Sequence, residues 1–168
     1  LMLVIVFIAI FAPWLAPGDA FSSNLSQALQ APSSQRWFGT DKLGRDVLSR
    51  IIYGTQLSLF MGVSIVVIMV SIGTIIGAVA GYFGGKIEMV LMRFADIMLS
   101  FPGVVLAIAI AGILGGSIVN TIIALSVVGW AKYARLVRSM TLKVRGEEYV
   151  TAAVMMGAST TTILRRHI

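Results

Sequence analysis

An all-α, polytopic membrane fold is what this sequence predicts, and three observations carry that expectation. Apolar residues fill 58% of the 168 positions, only 12% are charged, and mean hydropathy is +0.94. A soluble domain of this length needs more polar side chains than that to cover its core, so the surplus apolar surface must meet lipid. Residues 57–83 then run for 27 positions without a charge, about 40 Å of helix and enough to cross a hydrocarbon layer of about 30 Å. Finally, the basic residues are unevenly placed. With the apolar blocks counted as alternating spans, nine of the 13 lysines and arginines fall on one side and four on the other. That bias places the nine, and the carboxyl end of the chain, on the cytoplasmic side of the membrane.

Each element follows in order. Residues 1–17 are apolar as far as Ala12 and then interrupted by Pro13 and Pro17, as expected for the outer part of a first transmembrane helix. A cleaved signal peptide is the competing reading, and the missing basic flank argues against it. Residues 18–56 are the long polar stretch, an external loop. Its end, residues 37–54, spaces Leu43, Val47, Leu48, Ile51 and Ile52 among charges like an amphipathic helix at a membrane surface, running directly into the next span. Residues 57–138 hold three spans. The second half of the first of these carries Gly73, Gly77, Gly81 and Gly85 at every fourth position, so another helix can approach closely along that face. The next span covers residues 94–114 and should bend at Pro102, which lacks a backbone donor. A shorter one follows from Ser117 towards Val137. About four spans result, and residues 139–168 form a cytoplasmic segment.

Chemistry of other kinds is disfavoured. There is no cysteine and one histidine, His167, so neither a disulfide framework nor a metal-ligand cluster is expected. The nearest approach to a phosphate-binding loop is GYFGGKI, but Ile87 stands where a hydroxyl is needed, so the chain should bind no nucleotide or other cofactor. No Ser/His/Asp set and no paired carboxylates occur, so no catalysis is expected. The net charge of +6 reflects membrane topology rather than nucleic-acid binding.

Two candidate sites remain. Asp96 lies at the cytoplasmic mouth of the span that bends, three residues after Arg93. An Arg93–Asp96 pair that fixes helix packing is weighed against a pathway group that binds a cation or amine. In residues 147–168, Val150, Ala153, Val154, Gly157 and Ala158 mark one small, apolar face of a short helix broken at Gly157. Such a face suits docking into a groove of another protein, or resting on lipid.

That last segment resembles the cytoplasmic coupling loop of ABC importer permeases, patterned Glu-Ala-Ala, three residues, Gly, then Ile-x-Leu-Pro. Ala152, Ala153 and Gly157 match by spacing, Thr151 stands at the Glu position with Glu148 one turn earlier, and His167 falls near the Ile. FGTDKLGRD, AGYFGG, MRFADIMLSFP, YARLVR, EYVTAA and RRHI, in this order, are similar to the second permease subunit of dipeptide, oligopeptide and nickel importers. The resemblance implies a six-span permease of which four spans are present here, lacking part of its first helix and two further spans. It also implies a half-pore completed by a second homologous permease, two ATP-binding subunits gripping Glu148, Thr151, Ala152, Ala153 and Gly157, and an extracytoplasmic substrate-binding protein. A secondary transporter or channel working without ATPases is the rival class. It would carry several ionisable groups within its spans, where this chain offers Asp96.

Overall fold

The structure, a computed structural model, describes residues 2–166 apart from the side chain of residue 165. Among these residues regular structure is helical, and an isolated Thr40–Asp46 bridge is the sole extended pairing. The chain forms two compact units, Leu1–Val63 and Ser64–Ile168, whose boundary falls inside one long helix.

In the first unit, α1 (Met2–Ile10) gives way at Phe11 to the one-turn α2 (Ala12–Leu15). Pro13 occupies the first turn of α2, where its missing N–H costs nothing. Phe7, Phe11 and Trp14 stack along one side, with ring centroids 4.5 and 5.5 Å apart. The polar loop that follows is held by side chains. Asp41 accepts hydrogen bonds from the backbone N–H groups of Leu43 (2.8 Å) and Arg45 (3.0 Å) and from the guanidinium groups of Arg45 and Arg50. The Thr40 hydroxyl accepts from the Gln30 N–H at 2.8 Å and donates to the Gln27 carbonyl. Gly39 and Gly44 have φ of +68° and +75°, and a Cβ on either would strike the backbone carbonyls of Gln30 and Asn24.

This arrangement corrects the surface helix expected over 37–54. Residues 37–46 are a closed turn, because the Asp41 carboxylate takes donors that a helix would pair internally and two glycines adopt left-handed backbone. Helix begins only at Val47. Asp46, 2% exposed, accepts the Ser49 N–H at 2.7 Å, and the Ser49 hydroxyl accepts from the Gly18 N–H at 3.0 Å. From there α3 (Val47–Phe83) continues unbroken for 37 residues, about 55 Å. Residues 47–54 and the first long span are therefore one helix.

In the second unit, α3 ends where Gly84 and Gly85 take φ of +65° and +55°. Gly85 therefore opens α4 (Gly85–Ser100), with no atom near the place of a Cβ, and it leaves the expected glycine ladder because the left-handed turn ends the helix first. Phe101 and Pro102 separate α4 from α5 (Gly103–Leu114) by a bend of 89°. The expected kink is a full break, since the residue before a proline is driven to extended backbone, and Phe101 has ψ of 145°. Gly115, with φ +91°, turns the chain into α6 (Ile118–Arg145). There the Ser117 hydroxyl caps the Asn120 N–H at 3.1 Å, and the Asn120 amide donates to the last carbonyls of α5.

α4 and α5 both pack on α6. At the centre Ala95, Trp130, Ala131 and Ala134 are buried, with Ile76, Met92, Met98 and Leu99 against them and the Phe94 ring stacked 5.8 Å from Trp130. Small residues let these helices approach. Among the described residues α3 is long and apolar enough by itself to cross a bilayer, and the broken pair α4–α5 meets the same test taken together. The charged second half of α6 keeps it out of that class.

Candidate functional site

The coupling segment grows directly from α6. That helix closes at Gly146, whose N–H meets the Lys143 carbonyl at 3.1 Å, and α7 (Glu148–Met155) starts two residues later with Glu147 as its cap. The end of α7 is fixed by its backbone. Gly157, at φ +83°, donates to the Val154 carbonyl, and Ala158 donates to the Ala153 carbonyl, both at 3.0 Å, the paired bonds of a Schellman stop that favours glycine. Ser159 then caps α8 (Thr160–Arg166) through the Thr162 N–H and hydroxyl.

This geometry redistributes the residues singled out in the sequence. Val150 and Ala153 are turned inward, at 1% and 6% exposure, beside α6 and α8, where Ile163 is also buried. The docking face expected along Val150 and Ala153 is thus used by the chain itself, because the apolar stripe of a short helix is buried by its own neighbours first. The outward face carries Glu148, Thr151, Ala152 and Met155, at helical spacings of three and four, and Met155 is 83% exposed. Thr151 folds its hydroxyl back towards the Glu147 carbonyl. His167 lies outside the described residues.

Asp96 does not pair with Arg93. Its carboxylate meets the Arg135 guanidinium of α6, and two turns earlier on α4 Glu88 meets Arg138. The Arg93–Asp96 expectation is corrected because α4 and α6 pack through alanines, which leaves flanking long side chains within reach across the interface. An open cavity of about 480 Å³ lies over these pairs, bordered by Gly85, Met89 and Met92. Arg145 at the end of α6 sits 5.9 Å from the Tyr82 ring.

Three glycines of the expected ladder meet the α6 backbone in register. A Cβ on Gly73 would lie 2.8 Å from the Trp130 carbonyl, on Gly77 2.9 Å from Val137 Cβ, and on Gly81 2.9 Å from the Arg138 carbonyl. Each side chain beyond hydrogen would push the helices apart. The sequence reading did not find the Asp41 cluster or the two cross-helix ion pairs. For Asp41 the signal was its i, i+4 spacing to Arg45; for the pairs, Glu88 and Asp96 sit two turns apart on one side of α4.

A long apolar helix and an apolar helix pair broken at Pro102 are features of a helical membrane protein. Residues 73–168 match the family model of binding-protein-dependent transport system inner membrane components, and the chain belongs to that family. It is similar to the dipeptide transport system permease protein of Alkalihalophilus pseudofirmus, 45% identical over 97% of this chain and 54% of that protein. The probable D,D-dipeptide transport system permease protein of Escherichia coli is 40% identical over all of this chain and 56% of its own length. The glutathione transport system permease protein of Pectobacterium atrosepticum is 40% identical over 99% of this chain and 56% of that protein. The chain spans about half the length of these curated relatives.

Proposed function

We propose that the chain is a permease subunit of an ATP-driven importer, forming half of a translocation pathway and coupled to partner ATP-binding subunits through α7. The observation that carries this reading is the outward face of α7, Glu148, Thr151, Ala152 and Met155, held on a helix with both ends fixed in a chain of this transport family. A short rigid helix with one free face can fill a cleft and move with it. The remaining partners are a second homologous permease, an extracytoplasmic substrate-binding protein and the bilayer, with α7 and α8 cytoplasmic and the Asp41 loop outside. The relatives are named for dipeptide, D,D-dipeptide and glutathione transport, which favours a short peptide as cargo over nickel. Such a subunit would contribute positioning and conformational change, and the hydrolytic step would belong to its partners.

Ala152→Arg tests the reading, because it places a long cation on the free face without touching the buried one. In proteoliposomes holding the complete transporter, ATP-driven dipeptide uptake should fall by about tenfold or more, the loss of one central interface contact. Membrane insertion should be normal. Undiminished uptake would remove α7 from the coupling path.

A further inference from the structure

The first unit holds a cavity that the transport reading does not use, and its chemistry is graded from end to end. It encloses about 680 Å³ beside the start of α3. Arg45 and Arg50 border one end, Leu57 and Phe60 border the other, and Phe21 and Tyr53, in edge-to-face contact at 5.2 Å, form a wall between. The gradient coincides with a change of solvent along α3. Arg50 is the last charge before Lys86, so the charge-free run begins at Ile51, beside the cavity, and Gln56 is followed by the apolar Leu57 and Phe60. If α3 crosses the bilayer, its Arg50–Phe60 portion passes from water through the headgroup layer into hydrocarbon, and aromatic rings such as Tyr53 suit that layer.

The polar end carries excess positive charge. Two guanidinium groups share the single Asp41 carboxylate, which leaves one charge uncompensated. Arg50 commits one amino group to Asp41, and its other N–H donors meet no hydrogen-bond acceptor among the described residues. Asp41 also holds both arginines in place before any ligand arrives, which lowers the ordering cost of binding. A fixed, donor-rich cation above an apolar floor matches a ligand with an anionic head and a hydrocarbon body.

We infer that this cavity is a binding site for an anionic phospholipid of the leaflet facing the Asp41 loop, its phosphate on Arg50 and Arg45 and an acyl chain along Leu57 and Phe60. The inference rests on α3 spanning the membrane and is independent of cargo or coupling.

Native mass spectrometry of the full chain, extracted from membranes in mild detergent, tests it with phosphatidylglycerol and phosphatidylethanolamine offered at equal amounts. The wild type should retain phosphatidylglycerol preferentially. Arg50→Gln should cut that retention by about tenfold, the loss of one charge-assisted contact, and Phe60→Ala, which leaves the Asp41 cluster untouched, should weaken it as well. Equal retention of both lipids, or an unchanged preference in either variant, overturns the proposal. So does displacement of phosphatidylglycerol by inorganic phosphate or by a free dipeptide as readily as by short-chain phosphatidylglycerol, because the site would then take a free anion or cargo.

Discussion

Two residues show how far single side chains organise this molecule. Partial burial pulls the Asp41 carboxyl upwards, but the Arg45 N–H, the Arg45 guanidinium and the Leu43 N–H outweigh it and hold the group well below the usual carboxylate range. A carboxyl with a depressed folded value stabilises the fold above its unfolded value, about pH 4, and loses that contribution as pH falls further. Amide protection across residues 39–46, measured as exchange relative to the intrinsic rate at each pH, should therefore be high at neutral pH and fall below about pH 4, while Asp41→Asn should be poorly protected at both. Equal protection in the variant would show that the glycine turns hold the loop alone. Gly77 is the second case. Gly77→Ala drives a methyl group into the α6 backbone and should cost about 1–3 kcal/mol of stability, read as a lower melting temperature in detergent. Gly85→Ala meets no neighbour and bears only the strain of its positive φ, about 1 kcal/mol. A larger loss at Gly85 than at Gly77 would contradict the packing described here.

At the scale of elements, the sequence was readable where one local rule decides the outcome and unreadable where two segments must meet. The charge-free run of 57–83 follows from apolar length and stands in the structure, whereas at Pro102 the missing N–H announced a bend and the structure shows a full break into two helices. Gly157 as the end of α7 follows from its tolerance of left-handed backbone. By contrast, the partner of Asp96 was misjudged because spacing rules see only neighbours on the same helix, whereas Arg135 lies 39 positions away. The same blindness hid the closed turn over 37–46, whose amphipathic spacing imitates a helix until Asp41 claims its donors. Amphipathicity also revealed that α7 has a buried face without revealing what buries it. The Glu88–Arg138 pair offers a test of the α4–α6 interface. Glu88→Arg alone sets like charges together and should lose about 1 kcal/mol or less, and adding Arg138→Glu should recover most of it. Failure of the double exchange to recover stability would mean the pair is incidental to helix docking.

For the whole molecule, the fold is a chain of consequences from one solvent to another. Apolar length suits α3 to lipid, the glycine face of α3 lets α6 lie close, and α6 leads through its basic half into α7. The proposed cytoplasmic display of α7 draws on membership of the transport family and on the bias of basic residues. Because the chain contains no cysteine, a single cysteine introduced at Ala152 is a unique probe of its central claim. In intact cells Ala152→Cys should resist a membrane-impermeant thiol reagent, become reactive once the cytoplasmic side is opened, and cross-link to the ATP-binding subunit in the assembled transporter. Labelling from outside intact cells, with no cross-link, would contradict the account.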